Sequence, residues 1–323
     1  MKLIGNFFVW FFVILLSVNA VLMGITYSSD ERLASLKSVT SPLPNLFNSV
    51  FPKDASASEF WQPATRSSLN NSAFELTATS AISYDISTNT LIYGKEIEKR
   101  LPMASLTKIM TAIIALERMD LNSELLVTKK AAEIGESSMG LSEGEKLPLT
   151  ELMYGLILHS GNDAAETIAS GSNFGTENFV HLMNKKAEDL GLSNTRFTNV
   201  SGLQGDGQQY STAKDLLVIT RYALQNKEFA KVAATYQRDI PASSQHKAFT
   251  LYNETNLLTT YPGVKGVKTG YTDEAGMCLV TYLEYNDRKI IAVLLNSQNR
   301  RQEMKELLDF SLKTLGDEPP QYN

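Results

Sequence analysis

The segment Ala104-Ser105-Leu106-Thr107-Lys108-Ile109-Met110-Thr111-Ala112-Ile113-Ile114-Ala115-Leu116 carries a single charge, on Lys108. A helix apolar on nearly every side belongs in a protein interior, so the rest of the fold must wrap around it. Pro102 stands just ahead, and Ser105 falls in the first turn. Residues three apart share a helix face, which puts the Lys108 amine beside the Ser105 hydroxyl. Burying a lysine without a partner is costly, because desolvation disfavours its charged form. The same burial gives it a chemical use, since a desolvated amine can take the proton of a serine that is otherwise a poor nucleophile. The plainer reading is a core helix whose lysine reaches the surface along its own stem.

The surrounding pattern says what encloses this helix. Short β-prone runs, Ala81 to Tyr84 and Leu91 to Tyr93, flank the turn-forming stretch Asp85 to Thr90 and read as a hairpin. A helical zone follows from Leu106 to about Leu224, with apolar spacings of three and four in Leu152 to Leu158, Phe179 to Leu190 and Ala213 to Leu224. Strand character returns in Val264 to Thr269, Met277 to Leu283 and Lys289 to Leu295, and an amphipathic helix closes the pattern from Gln302 to Thr314. Strands at both ends with helices between predict an α+β domain: one antiparallel sheet assembled from both termini and covered by a helical region.

Ahead of that domain, Leu3 to Ile25 contains no charge and follows Lys2. As a helix it would reach about 34 Å, against about 30 Å for a bilayer core. Residues 1–26 therefore read as a membrane anchor, or as a signal peptide cut after Ala20, with the bulk of the chain outside the membrane in either case. Residues 27–73, with Pro42, Pro44, Pro52, Pro63 and many serines, read as a flexible tether. The folded domain is expected over 74–315, with a short tail at 316–323 that leaves anchoring to the N-terminal segment.

Composition narrows the chemistry. A net charge of -5 argues against nucleic acid as a partner. One cysteine, Cys278, permits no internal disulfide, and the three histidines show no metal-ligand spacing. No metal or cofactor is expected, so serine, lysine, asparagine, threonine and backbone groups must carry any reaction. Cys278 reads as a small buried hydrophobe, His159 as a packing residue, and Asp163 and Glu166 as charges at a helix start.

Ser-x-x-Lys alone is weak evidence; it recurs at Ser211…Lys214 and Ser244…Lys247 in polar surroundings. Two further motifs sharpen it. Ser160-Gly161-Asn162 follows an apolar helix, and Lys268-Thr269-Gly270-Tyr271 ends a β-prone run. Taken alone these are a helix-connecting turn and an ordinary strand. In the order Ser-x-x-Lys, Ser-x-Asn, Lys-Thr-Gly they match the signature of penicillin-binding proteins and class A β-lactamases. From about Ser80 to Phe310 the chain resembles the serine-type D-Ala-D-Ala carboxypeptidases, the low-molecular-mass penicillin-binding proteins. Gly191-Leu192, Asn199-Val200-Ser201-Gly202-Leu203, Tyr210 to Leu216 and Ala275-Gly276 belong to the same resemblance.

That resemblance implies a β-lactamase/transpeptidase-like fold and an exported enzyme that removes the terminal D-Ala from peptidoglycan stem peptides through an acyl-enzyme on Ser105. It implies Lys108 as general base and Ser160, assisted by Lys268, as proton relay to the leaving amine. It further implies Asn162 on the substrate's backbone, Thr269 and Arg300 near the terminal carboxylate, Gly270 among the substrate-binding residues with Lys268 and Tyr271, and the N–H groups of Ser105 and Tyr271 as the oxyanion hole. Arg301, beside Arg300, is the competing alignment. β-Lactam antibiotics would be covalent inhibitors, and the bacterial cell envelope the location. The chain departs from the pattern at Tyr271 and Ser201, where many members have histidine. Other readings are a β-lactamase, a DD-endopeptidase, or a non-catalytic membrane-tethered binder. The first is disfavoured because no Glu-x-x-Asn follows Asn162 within roughly forty residues.

Overall fold

Residue alternation explains the centre of the molecule. In the strand Arg288–Ser297 every residue from Ile290 to Leu295 is fully buried. Ile291, Val293 and Leu295 face one apolar cluster, while Ile290, Ala292 and Leu294 face another. A strand apolar on both sides needs cover on both faces. The computed structural model describes residues 61–63, 75–203 and 207–322, and within them this strand is the middle of a five-stranded antiparallel sheet.

The sheet is built from both ends of the domain. β1 (Ser80–Asp85) and β2 (Thr90–Lys95) form the expected hairpin. After the helical region come β3 (Glu124–Leu126), β4 (Lys146–Pro148), β5 (Gln237–Ile240) and β6 (Phe249–Tyr252), which pair as two separate ribbons, β3 with β4 and β5 with β6. β7 (Val264–Thr272), β8 (Gly276–Tyr285) and β9 (Arg288–Ser297) complete the main sheet in the order β2-β1-β9-β8-β7. β1 thus pairs with the last strand of the chain, Ser83 lying opposite Ala292. The two small ribbons were not anticipated, because strands of three or four residues are too short to show a period of two.

One face of the sheet carries the helices. α1 (Thr107–Arg118) runs through the middle with Thr107 to Ala115 all buried. α2 (Lys129–Ala132), α3 (Leu149–Ile157), α4 (Asn162–Gly171), α5 (Gly175–Asp189), α6 (Ala213–Leu224) and α7 (Lys227–Ala233) complete that layer, and α8 (Leu257–Thr260) leads into β7. The opposite face is covered by α9 (Arg300–Thr314), which inserts Met304, Leu307, Leu308 and Leu312 into the second cluster. The enclosure demanded by the apolar stretch of α1 up to Ala115 is met by this layering.

The calls on residues 1–26 and on most of 27–73 lie outside the described residues. Trp61, within the expected tether, packs on the domain. Its ring meets Tyr84 edge-on at 5.4 Å, the Arg221 guanidinium lies over it at 4.4 Å, and its N–H donates to Asn89 at 2.9 Å.

Candidate active site

Ser105 stands in a 3-10 turn, Ala104–Leu106, that runs directly into α1. Ala104 adopts a positive φ of 48°. Such a conformation costs a non-glycine residue free energy and persists only where neighbours fix it. Here Thr107 donates to the Ala104 carbonyl at 2.8 Å. Gly202 packs so closely that a Cβ on it would sit 1.9 Å from the same carbonyl oxygen.

One turn on from Ser105, in the first turn of α1, Lys108 is completely enclosed. Its Nζ lies 2.9 Å from Ser105 Oγ, 2.7 Å from Asn162 Oδ1 and 2.7 Å from the Ser201 carbonyl oxygen. Asn162 Oδ1 and the Ser201 carbonyl can only accept, so they take two N–H groups. What remains on nitrogen points at Ser105: a third N–H if the amine is charged, a lone pair if it is neutral. Burial, then the nearby charge of Lys268, push the Lys108 amine well below the usual lysine range. The neutral form, with its lone pair on the serine proton, is the one a general base needs.

Ser160 and Asn162 come from the turn between α3 and α4. Ser160 sits at φ 58°, in the left-handed region, and is nearly buried. Asn162 uses both ends of its side chain within the protein, Oδ1 toward Lys108 and Nδ2 to the Gly135 carbonyl at 3.1 Å. The contact expected with a substrate backbone is left with its second amide hydrogen or the second lone pair of Oδ1. Asp163 organises the facing loop. Its buried carboxylate accepts from Ser138 Oγ at 2.6 Å and from the backbone N–H groups of Met139, Gly140 and Leu141 at 3.0, 3.0 and 2.9 Å.

The third wall is β7, the sheet edge nearest the turn. Gly270 approaches so tightly that a Cβ there would lie 3.1 Å from both Met103 O and Ser105 N, which brings the β7 backbone against the nucleophile's turn. Lys268 is buried, and its Nζ has no hydrogen-bond partner among the described residues. Burial brings its amine down to about 8, with Glu254 raising it and Arg300 lowering it. Arg300, at the start of α9, donates to the Gly270 carbonyl at 2.6 Å, whereas Arg301 is exposed. Of the two alignments considered, Arg300 is the one that reaches the site.

These elements enclose a cavity of about 340 Å³. Ser105, Ser160, Thr269, Gly270, Tyr271 and Arg300 line it, and Lys108, Asn162 and Lys268 stand behind its walls. Glu136, Ser137, Glu254, Thr272 and Asp273 complete the lining. The motif residues thus converge although 195 positions separate Ser105 from Arg300 in the numbering. Neither His159 nor Cys278 lines the cavity. Cys278 is fully buried, and burial pushes its thiol up to about 11.

Two features escaped the sequence reading. Ser201 contributes its backbone carbonyl to Lys108, so the missing histidine at that position leaves the contact intact; its hydroxyl instead accepts from Leu203 N–H at 3.2 Å. Glu254 brings a carboxylate into the cavity, where it accepts from the Thr269 hydroxyl at 3.0 Å.

A serine with a buried amine at its hydroxyl, a second serine close by and a cationic strand edge defines a serine acyl-transfer site on an α+β scaffold. Residues 66–299 match the family model described as D-alanyl-D-alanine carboxypeptidase, and the chain belongs to that family. It is 35% identical over 250 residues to the D-alanyl-D-alanine carboxypeptidase DacF of Bacillus subtilis (strain 168), covering 75% of this chain and 64% of that relative. With the D-alanyl-D-alanine carboxypeptidase DacB2 of Mycobacterium tuberculosis the identity is 34%, over 65% of this chain and 72% of the relative. Among solved structures, the Streptomyces K15 DD-transpeptidase superposes with a TM-score of 0.70 at 28% identity, covering 74% of this chain and 98% of that one. The D-alanyl-D-alanine carboxypeptidase of Mycobacterium tuberculosis H37Rv gives 0.70 at 30% identity, covering 78% and 96%. The chain thus spans a little under two thirds of the DacF relative's length.

Proposed function

We propose that this chain is a serine DD-carboxypeptidase that removes the terminal D-Ala from peptidoglycan stem peptides. The observation that carries the reading is the Lys108 amine, enclosed, held by two pure acceptors and 2.9 Å from Ser105 Oγ. Neutral Lys108 takes the Ser105 proton as Oγ attacks the carbonyl between the two D-alanines. The oxyanion forms against the backbone N–H groups of Ser105 and Tyr271, where the close packing of Gly270 supports the approach. Ser160 passes a proton to the leaving amine, with charged Lys268 behind it. Thr269 and Arg300 receive the terminal carboxylate. Free D-Ala departs, water attacks the Ser105 ester with Lys108 again as base, and the shortened peptide leaves.

β-Lactams acylate the same serine in this reading. The uncharged run Leu3 to Ile25 supports an extracytoplasmic domain held to the membrane by its N-terminal segment; among the described residues no helix is long and apolar enough to cross one. Because structurally similar Streptomyces proteins are named DD-transpeptidase, transfer to an amine instead of water is the second reading.

The test is covalent labelling by a fluorescent penicillin together with D-alanine release from a synthetic pentapeptide. Wild type labels and releases D-alanine, and Ser105→Ala does neither. Labelling that survives in Ser105→Ala removes Ser105 as nucleophile. D-alanine release that depends on an added amine acceptor favours the transpeptidase.

A further inference from the structure

The anion site described above already contains an anion. Glu254 sits on the loop between β6 and α8, and its backbone is fixed: its N–H donates to the Leu158 carbonyl at 3.0 Å. Next to it Asn253 is buried, donates to the carbonyls of Ala233 and Thr235 at 3.2 and 3.0 Å, and accepts from Thr255 N–H at 2.9 Å. The side chain of Glu254, by contrast, is exposed at the cavity wall. Its carboxylate accepts from Thr269, the hydroxyl assigned above to the substrate's terminal carboxylate. It also raises the proton affinity of the basic groups around the cavity, Lys108, Lys268 and Arg300.

We propose that Glu254 is a specificity-determining residue: in the free enzyme its carboxylate occupies the anion subsite, and the substrate's terminal carboxylate must displace it. The inference rests on the carboxypeptidase reading. Two carboxylates cannot share one hydroxyl donor and one set of cations without repulsion. A substrate that supplies several contacts at once, along the peptide and at the carboxylate, displaces a residue held by a single hydrogen bond. A small free anion with only its charge to offer does not. Glu254 therefore lowers affinity for every carboxylate, and most decisively for those that bring nothing else.

Glu254→Gln tests this, since it keeps the shape and an acceptor for Thr269 while removing the charge. Two ligands are compared on each enzyme: a peptide ending in D-Ala-D-Ala, read as KM, and the same peptide ending in the amide, read as a competitive inhibition constant. The variant is expected to lower KM for the carboxylate peptide about two- to fivefold, the upper part of the range for an exposed charge contact, and to leave the amide unchanged. It should also become more sensitive to inhibition by acetate. An unchanged or raised KM, or an equal gain for both peptides, overturns the proposal while wild-type turnover leaves the carboxypeptidase reading standing. A wild type that neither releases D-alanine nor reacts with penicillin defeats that reading, and this inference with it.

Discussion

The side-chain oxygen of Asn162 lies 2.7 Å from the amine of Lys108, joining the first turn of α4 to the first turn of α1 across 54 residues of sequence. The asparagine fixes the direction of the base. With Asn162 and the Ser201 carbonyl each drawing one N–H, only one orientation of the Lys108 lone pair remains, and it faces Ser105.

Asn162→Ala should therefore reduce acylation by about 10²-fold or more, within the range for a misaligned general base, while the fold is kept. Stopped-flow acylation by a chromogenic cephalosporin measures it. An acylation rate within twofold of wild type would mean that Lys108 is positioned without Asn162.

Activity should depend on pH with two limbs. Lys108 must be neutral, and its proton affinity lies well below the usual lysine range, so kcat/KM rises as pH increases through its titration. Lys268 must be charged, and it loses its proton at about 8, so kcat/KM falls as pH increases beyond that. Lys268→Arg, which stays charged, should abolish the alkaline limb. A profile from pH 5 to 10, taken on the carboxylate peptide, checks both.

Asp163 supports the cavity wall through its bonds to residues 138–141. Asp163→Ala strands the buried backbone donors of Met139 and Leu141, at about 1–3 kcal/mol for each unsatisfied group. The expected result is a lower Tm by thermal denaturation and greater proteolytic nicking near Gly135 to Gly140. An unchanged melting curve would contradict the role.

Gly202→Ala places a methyl group 1.9 Å from the Ala104 carbonyl at a φ of 84°. Both partners are backbone, so neither can swing aside, and the Ser105 turn must shift. A loss of about 2–4 kcal/mol in stability by urea unfolding, with slowed penicillin labelling, is expected.

What the sequence made legible follows from the range of each interaction. Ser105 and Lys108 are three residues apart on a regular helix, so spacing alone set their contact, and the apolar surroundings foretold burial. The hairpins β1–β2 and β8–β9 were readable because their turns are short and rich in turn-forming residues. The opposite holds for Ser201, which acts through a carbonyl that any residue possesses. Asp163 was read only as a helix-start charge because its partners, Ser138 to Leu141, lie more than twenty residues upstream. Glu254 gave no signal at all: a glutamate between a short strand and a short helix has the composition of any surface loop.

The pairing of β1 with β9 has a consequence for when this protein can work. The proposed nucleophile and base are residues 105 and 108, yet Arg300 belongs to the element that follows β9, and β1 finds its central neighbour only in β9. A nascent chain holding its first two hundred residues carries the reactive serine without the wall that would present a substrate to it. In the proposed reading, catalytic competence thus arrives only once the chain extends through β9 and Arg300, and no product truncated before them should be capable of cutting.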